Sequence, residues 1–444
     1  MPPPPGGWIF RDPFAGLWLR PWFDRTALAL ITRWYLPLSR AWAAALSADG
    51  DIDRFWHELP AEKAVGAGLV KAPLGIVRHR RRVYAAAERN WEAVFFGSGD
   101  SEVRTRIAAE MLMLGRGAFV PLALRSRLPA VRFEIPPPDE LTRHHRHRLA
   151  GPDAAFPAPK ETEIARSHSV PGPVGEQYWL RFPTPNENDL GPAWAHVFEP
   201  EGVAEPATLI FLHGITMEME FWPDSRDPIP ALAARGIRVI RPEGPWHGRR
   251  RKDGYYGGEP ALARAPVGMI ELFEAWVAEV AALVRWARET SPGPVAVGGI
   301  SLGALTSQLV ATAARTWPAE VRPDALFLCS TSGDIGATME ASSLATALDL
   351  PKRLKARGWS EAVLAPWLGL AEPGESAIPP ENIVMVLGSV DDVTPFAGGL
   401  ALAERWGVPA ENRFIWRRGH FSAGLAIMSE EGPLARLAEV VKRP

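Results

Sequence analysis

The stretch that decides the fold is residues 294–314, Pro-Val-Ala-Val-Gly-Gly-Ile-Ser-Leu-Gly-Ala-Leu-Thr-Ser-Gln-Leu-Val-Ala-Thr-Ala-Ala. An apolar run typical of a buried strand leads into Gly-Ile-Ser-Leu-Gly (299–303), and a helix-forming stretch follows it. A strand-to-helix turn of this kind holds its serine in a strained backbone conformation that small flanking residues permit. The hydroxyl of Ser301 then projects above the sheet, which makes it a candidate nucleophile. A tight turn with an incidental serine is the alternative interpretation.

Downstream of this turn, the sequence offers a base and an acid that could activate the serine. A serine hydroxyl is a poor nucleophile near neutral pH and needs a base within hydrogen-bond reach, oriented by a third group. His420 follows the last predicted strand and is the predicted base. Asp391 lies in the loop after the preceding strand, Gly-Ser-Val-Asp-Asp-Val-Thr-Pro (388–395), and is the predicted acid. Asp392 and Asp334 remain open as alternative acids.

From residue 176 onward, short apolar runs alternate with helical stretches, which indicates an α/β domain with a mostly parallel sheet covered by helices on both faces. Eight strands are predicted, at residues 177–182, 193–198, 208–212, 237–242, 295–299, 325–329, 383–387 and 413–416. The first two are expected to form an antiparallel edge. The insertion 334–380 is too long for a simple connection, and its helical periodicity predicts a cap over the strand ends.

Before the sheet, the sequence has a different composition. Residues 1–135 are rich in Ala, Leu, Arg and Trp at helical spacing, which predicts an N-terminal helical region. Residues 136–175 are proline-rich and polar, and are predicted to be a linker or a strap on the surface. His144, His145 and His147 in this segment are not predicted to bind a metal, because a zinc site needs ligands on a shaped framework.

The overall composition excludes several classes of protein. A net charge of -2 over 444 residues argues against nucleic acid as a partner, since phosphate contacts need a strongly basic face. The single cysteine, Cys329, cannot form an intrachain disulfide and is predicted to be a core residue. The first residues lack the pattern of a secretory signal, and no run of 18 apolar residues occurs, so the sequence predicts a cytoplasmic protein.

Together, these motifs resemble those of the α/β-hydrolase superfamily over about residues 177–444. Two further segments carry the resemblance: Phe-Leu-His-Gly-Ile-Thr (211–216) is similar to the superfamily's oxyanion loop, and Pro-Trp-His-Gly-Arg (245–249) to its P-x-H-G segment. His213 and His247 in these segments are expected to have structural roles, hydrogen-bonding neighbouring loops.

The resemblance implies a mechanism as well as a fold. Ser301 would attack a carbonyl, His420 would accept and return its proton, and Asp391 would orient the imidazole. The backbone N–H groups of Ile215 and Leu302 would form the oxyanion hole. The implied activity is hydrolysis of a small-molecule carboxylic ester, without a cofactor. An acyltransferase with the same triad, or a non-catalytic binding member of the fold, are the alternatives.

A narrower similarity bears on the substrate. The segments 241–250, 329–333 and 419–424 are similar to the poorly characterised α/β hydrolase domain-containing protein 18 type, which implies a lipid ester. Four aromatic residues are expected to line an apolar substrate wall: Phe221, Trp222, Tyr255 and Tyr256. The basic run at 249–252 is expected to be a solvated loop.

The N-terminal helices raise the question of a lipid surface. Their tryptophans, interspersed with arginines, are Trp8, Trp18, Trp22, Trp34 and Trp42. Such a pattern is compatible with peripheral membrane contact. Packing of this face against the rest of the protein is the favoured interpretation, because apolar stripes on helices are usually core.

Overall fold

Ten strands form one mixed sheet in the part of the chain that the computed structural model describes, residues 19–59, 68–97, 108–109, 111–149, 155–172, 174–185, 190–217, 229–427 and 430–442. The strands are Ala165–Arg166 (β1), Val170–Gly172 (β2), Gly175–Pro183 (β3), Pro192–Pro200 (β4), Ala207–Leu212 (β5), Ile237–Pro242 (β6), Val295–Ile300 (β7), Ala325–Cys329 (β8), Ile383–Gly388 (β9) and Arg413–Trp416 (β10). Their spatial order is β1-β3-β4-β6-β5-β7-β8-β9-β10, with β2 also paired to β3.

The sheet confirms the predicted eight strands and adds two. Strands β5 to β10 pair in parallel, and β3 and β4 form the predicted antiparallel edge. The central strands β5, β7, β8 and β9 are buried along their whole length, which is why they appear in the sequence as continuous apolar runs. The missed strands, β1 and β2, span only two and three residues, too few to show an alternating pattern.

The α-helices of the described residues surround this sheet and form the N-terminal region. They are Pro21–Leu30 (α1), Leu36–Ala48 (α2), Ile52–Glu58 (α3), Gly68–Phe96 (α4), Val120–Ala123 (α5), Pro138–Leu149 (α6), Ile229–Ala233 (α7), Glu259–Ala263 (α8), Val267–Thr290 (α9), Leu302–Ala313 (α10), Ile335–Glu340 (α11), Ser343–Ala347 (α12), Leu350–Ala356 (α13), Glu361–Ala371 (α14), Phe396–Arg405 (α15), His420–Ala426 (α16) and Glu431–Val441 (α17). A π-helical turn, Ile31–Tyr35, joins α1 to α2. The predicted cap segment thus contains the four short helices α11 to α14.

The segment 136–175, predicted to be a linker or a strap, contains helix α6, which the sequence did not predict. The segment starts a helix because Pro138 occupies its first position and two acidic residues fill its first turn, both favourable at a helix N-terminus. The residues of this helix are mostly polar or charged, so no hydrophobic periodicity in the sequence indicates a helix here. Arg148 forms an ion pair with Glu274 of α9, and this contact holds the helix to the α/β domain.

One cluster of buried apolar side chains combines residues of the N-terminal helices with residues of the α/β domain. Helix α2 is buried along nearly its whole length, and Trp42 is fully buried. The same cluster of buried side chains includes Tyr255, Tyr256 and Ala263 from the segment after β6. The favoured prediction, that this Trp-rich region packs on the rest of the protein, is confirmed for Trp42, although Trp22 and Trp34 are 42% and 36% exposed.

Two tryptophans of that region, Trp8 and Trp18, lie outside the described residues. Among the helices that are described, none is both long and apolar enough to cross a membrane.

A buried ion pair fastens the two parts of the chain together. The Arg40 guanidinium on α2 lies 2.7 Å from Glu259 on α8, and both side chains are fully buried. Glu259 also accepts hydrogen bonds from the backbone N–H groups of Arg132 and Tyr256, at 2.8 and 3.0 Å. Burial raises the pKa of Glu259, because the charged form loses its hydration.

We expect Glu259→Gln to lower the free energy of unfolding by about 3–5 kcal/mol, because it leaves the Arg40 charge buried without a counter-ion. Arg40→Met should cost less, since Glu259 can take up a proton whereas an arginine cannot lose one. Denaturant titrations of both variants and of the double variant test this. A loss below 1 kcal/mol for Glu259→Gln, or equal losses for the two single variants, would contradict it.

Candidate active site

The turn after β7 places Ser301 at the carboxyl edge of the sheet. Its backbone has φ 56° and ψ -118°, a conformation that L side chains rarely adopt. Strand β5 crowds this turn so closely that a Cβ at Gly299 or Gly303 would overlap the carbonyl oxygen of Leu212. The two flanking glycines are therefore required by the approach of the neighbouring strand, and the strained serine conformation depends on them.

Three side chains at this edge form a continuous chain of hydrogen bonds. The Ser301 hydroxyl lies 2.9 Å from Nε2 of His420, and Nδ1 of His420 lies 2.9 Å from Oδ2 of Asp391. Asp391 is held in turn by the backbone N–H groups of Val393 and Thr394, each 2.9 Å from Oδ1. Since a carboxylate only accepts, Nδ1–H donates to Asp391, and Nε2 is left to accept from the serine.

The two alternative acids have other partners. Asp334 caps helix α11, with Oδ1 accepting from the backbone N–H of Ala337 at 2.7 Å. Asp392 accepts from the Ser343 hydroxyl at 2.8 Å and so joins the acid loop to the cap helix α12. Of the three candidate carboxylates, Asp391 is the one that contacts His420.

The electrostatic surroundings of His420 favour its protonated form. Burial alone lowers the pKa of the imidazole, but the charge of Asp391 and its hydrogen bond, together with Asp24 and Asp392, outweigh burial and raise the pKa above its ordinary value. The imidazolium that forms when the ring accepts a proton is therefore stabilised in place. This is the property that a general base beside a serine requires.

The loop after β5 lies directly against the serine. A Cβ at Gly214 would sit 3.5 Å from Cβ of Ser301, so the backbone at Gly214, the residue before Ile215, packs against the nucleophile. Within the described structure, the backbone N–H groups of Ile215 and Leu302 donate no hydrogen bond to protein. That these two N–H groups form an oxyanion hole stays a prediction.

His213 and His247 have the structural roles that the sequence predicts. Nε2 of His213 accepts from the backbone N–H of Gly244 at 3.0 Å, and Nε2 of His247 accepts from that of Thr216 at 3.2 Å. Burial lowers the pKa of His247 to about 4, so the ring is neutral at pH 7 and keeps its acceptor nitrogen. Both rings hold the loop that contains Ile215.

The expected substrate wall is wrong for two of its four members. The Tyr255 hydroxyl donates to Glu134 at 2.5 Å and that of Tyr256 to the carbonyl of Ala130 at 2.9 Å, with both rings buried in the core of the N-terminal helices. Both tyrosines therefore hold the N-terminal region to the α/β domain. The other two predicted members, at positions 221 and 222, lie outside the described residues.

The basic run at 249–252 also differs from its expected role as a solvated loop. Arg249 is ion-paired with Glu243, and its guanidinium carbon lies 4.2 Å from the ring centre of Trp91 and 4.3 Å from that of Trp179. Arg250 is buried in a bidentate contact with Glu279. Because the aromatic partners come from α4 and β3, the local sequence around the arginines gave no sign of this packing.

Cys329 ends strand β8 and is buried, as predicted. Burial raises the pKa of its thiol to about 12, so the thiol is uncharged near pH 7. In the part of the chain that the structure describes, no group of three His, Cys, Asp or Glu side chains is close enough together to hold a metal ion.

Two N-terminal residues that sequence analysis did not select contact this site. Asp24 of α1 accepts hydrogen bonds from the loop that contains His420, and the Tyr35 hydroxyl donates to the carbonyl of Thr216 at 3.1 Å. Neither residue lies in a recognisable motif. Their only local signal is a position on an amphipathic helix, which does not indicate what they contact.

Comparison with known proteins identifies the family. The family model described as the alpha/beta hydrolase family matches residues 209–439. No curated protein matches the chain.

Similar solved structures include three esterases. They are a cold-adapted esterase from an Arctic intertidal metagenomic library (15% identity, 61% of this chain and 96% of that chain, TM-score 0.40), acetyl xylan esterase 1 from Thermoanaerobacterium sp. JW/SL YS485 (18%, 66% and 96%, 0.42) and esterase Est22 (16%, 68% and 87%, 0.40). Because the family model covers more than half of the chain, from β5 into α17, the protein belongs to the α/β-hydrolase family.

Proposed function

We propose that the protein is a serine hydrolase that cleaves a carboxylic ester through an acyl-enzyme intermediate on Ser301. The observation that carries this proposal is the hydrogen-bond chain from Asp391 through His420 to Ser301, with both links at 2.9 Å. A nucleophile, a base and an orienting acid in this arrangement are the parts that acyl transfer requires.

In the proposed acylation step, Nε2 of His420 accepts the hydroxyl proton while the Ser301 oxygen attacks the ester carbonyl. The carbonyl oxygen becomes an oxyanion that accepts hydrogen bonds from the N–H groups of Ile215 and Leu302. Each such donor contributes on the order of 3 kcal/mol to the transition state. The imidazolium then gives its proton to the leaving alcohol oxygen, and the acyl group remains on the serine.

Deacylation repeats these steps with water as the nucleophile. His420 accepts a proton from water, the hydroxide adds to the acyl carbon, and the same two amides bind the oxyanion again. Collapse of this intermediate breaks the bond to Ser301, whose oxygen recovers the proton from Nε2. The products are a carboxylic acid and the unmodified enzyme.

We propose an ester with an apolar acyl chain as the substrate class. We also propose that the protein makes peripheral membrane contact beside the site. Helix α1 and the π-helical turn run from Asp24, which contacts the loop 419–422 that contains His420, to Tyr35, which contacts Thr216 in the loop after β5. This segment therefore lies beside the site. The same segment exposes Trp22, Leu30 and Trp34. Exposed aromatic and aliphatic side chains beside a site suit a lipid-like substrate.

Labelling with a fluorophosphonate probe tests the proposed nucleophile. We expect one covalent adduct per chain, which peptide mass spectrometry places on Ser301. A panel of p-nitrophenyl esters from acetate to palmitate then tests the substrate class, with the highest kcat/KM expected beyond butyrate. An unlabelled protein, or an adduct on another residue, would overturn the assignment.

The same panel separates hydrolysis from the two alternatives. Products formed with and without added alcohols distinguish water from an alcohol as the second nucleophile, and a product ester that dominates over the acid would indicate an acyltransferase. A protein that neither reacts with the probe nor turns over any ester would be a non-catalytic member of the fold.

A further inference from the structure

Helix α1 presents a buried carboxylate to the loop that contains His420. Asp24 is 8% exposed, and its Oδ1 accepts from the backbone N–H groups of Phe421 and Ser422 at 2.7 and 3.0 Å. Its Oδ2 accepts from the N–H of Gly419 at 3.2 Å and from the Ser422 hydroxyl at 2.5 Å. Four donors from three residues of the loop 419–422, which contains His420, thus converge on one side chain nearly 400 positions earlier in the sequence.

Three of these donors are backbone N–H groups that the start of helix α16 leaves without carbonyl partners in the helix, and that of Gly419 also donates to the Ser422 hydroxyl at 3.0 Å. The first N–H groups of any helix have no carbonyl to bind within it, and a side-chain oxygen at the N-cap commonly satisfies them. Here the residue before His420 is Gly419, which has no side chain. Asp24 therefore acts as the cap from a different part of the chain, and it fixes the backbone on both sides of the histidine.

The glycine before the histidine is explained by this contact. A Cβ at Gly419 would overlap the carboxyl carbon of Asp24. A larger residue at position 419 would displace the carboxylate from the four donors. The Gly-His pair is thus shaped to admit a side chain from the N-terminal region.

We propose that Asp24 is a positioning residue for the hydrolysis proposed above: it fixes residues 419–422 and thereby holds the His420 ring between Ser301 and Asp391. The N-terminal helical region is then part of the catalytic apparatus, because it completes the loop that contains the base. This inference rests on the proposed function for its effect on turnover. The geometry on which it stands, four hydrogen bonds to one loop, is independent of the substrate.

The charge of Asp24 also acts on the imidazole. The groups that face His420 are the carboxylates of Asp391 and Asp392 from the loop after β9, Asp24 from α1, and the neutral hydroxyls of Ser301 and Thr394. All three carboxylates raise the pKa of His420, against the opposing effect of burial. Removing one of them destabilises the imidazolium, so the pKa should fall and the neutral base should persist to lower pH.

Two substitutions separate the positioning effect from the charge effect. Asp24→Asn removes the charge and places an amide N–H₂ group against N–H donors. We expect kcat to fall about 10- to 100-fold, the loss that a small misplacement of a catalytic group causes. The acid limb of the kcat/KM profile should move to lower pH. Ser422→Ala keeps the charge and removes one of the four donors, so kcat should fall with the acid limb unmoved.

Asp51→Asn is the matched control. Asp51 also caps a helix in the N-terminal region, accepting from the N–H of Arg54 at 2.9 Å, but that helix is α3 and not the histidine loop. We expect this variant to lower thermal stability slightly and to leave kcat and the pH profile unchanged. A purely structural role for Asp24 would give the same result for both aspartate variants.

A second measurement keeps the inference independent of the substrate. The titration of the His420 imidazole, followed by NMR and assigned with His420→Gln, should have a lower midpoint in folded Asp24→Asn than in the wild type. Equal midpoints together with equal kcat would overturn the inference. An inactive wild type whose Ser301 resists the fluorophosphonate would overturn the proposed function instead, and the NMR titration would still decide whether Asp24 acts on His420.

Discussion

Replacing Ser301 with alanine is expected to lower kcat for ester hydrolysis by about a millionfold, the loss typical of removing the nucleophile from a triad. Without the hydroxyl no acyl-enzyme forms, and water must attack the ester directly. The N–H groups of Ile215 and Leu302 remain available to the oxyanion, so a small rate above the uncatalysed reaction should persist. Initial rates with the best p-nitrophenyl ester of the panel measure this loss.

Ser307→Ala is the matched control for this substitution. Ser307 is also buried, on the helix that follows the nucleophile, but its hydroxyl donates to the carbonyl of Gly303 within that helix. Its loss should leave kcat within about threefold of the wild type, because a hydroxyl bond to the carbonyl four residues earlier adds little to a helix. A Ser301→Ala protein with more than 1% of wild-type kcat would contradict the mechanism.

Asp391→Asn is expected to lower kcat by about 10⁴-fold. The amide can still accept from Val393 and Thr394 through its oxygen, which directs its N–H₂ group toward Nδ1 of His420. A donor at that position favours the tautomer with the proton on Nε2, the nitrogen that must accept the proton of Ser301. The base is then present but blocked, so kcat falls whereas the fold persists. Rates from pH 6 to 9, with circular dichroism as a check on folding, measure the effect.

The neighbouring carboxylates provide internal controls for Asp391. Asp392→Asn and Asp334→Asn remove a charge of the same kind at exposed positions, where the side chains bond to Ser343 and to the N–H of Ala337. Each should change kcat by less than about threefold. A 10⁴-fold loss at either position, with Asp391→Asn near wild type, would move the acid to that residue.

Local sequence patterns predict most of the α/β domain. Buried parallel strands appear as apolar runs whatever surrounds them, and the turn at Ser301 needs its flanking glycines because of the adjacent strand. The order of serine, acid and histidine along the chain then places all three at one edge of the sheet, where the structure brings them within hydrogen-bond distance. These features were predictable because each appears in the sequence as a short pattern of adjacent residues, although the contacts that require the pattern come from distant segments.

The parts that the sequence could not predict depend on contacts between distant segments. Tyr255 lies in a segment that follows a motif near the serine, yet its ring packs against the N-terminal helices. Arg249 lies in a basic run that predicts a solvated loop, but its guanidinium packs against the rings of tryptophans from α4 and β3. Asp24 is one acidic residue on an amphipathic helix, and nothing nearby indicates that its partners are 395 to 398 positions away.

That separation has a consequence for how the enzyme matures. The hydrogen bond from Ser422 to Asp24 closes a loop of nearly 400 residues, so it cannot form until strand β10 and helix α16 have been synthesised. At ordinary rates of translation this takes on the order of half a minute, during which α1 has no partner for its carboxylate. The proposed ester hydrolysis should therefore begin only when residues 419–422 have met Asp24, which keeps a partly synthesised chain inactive.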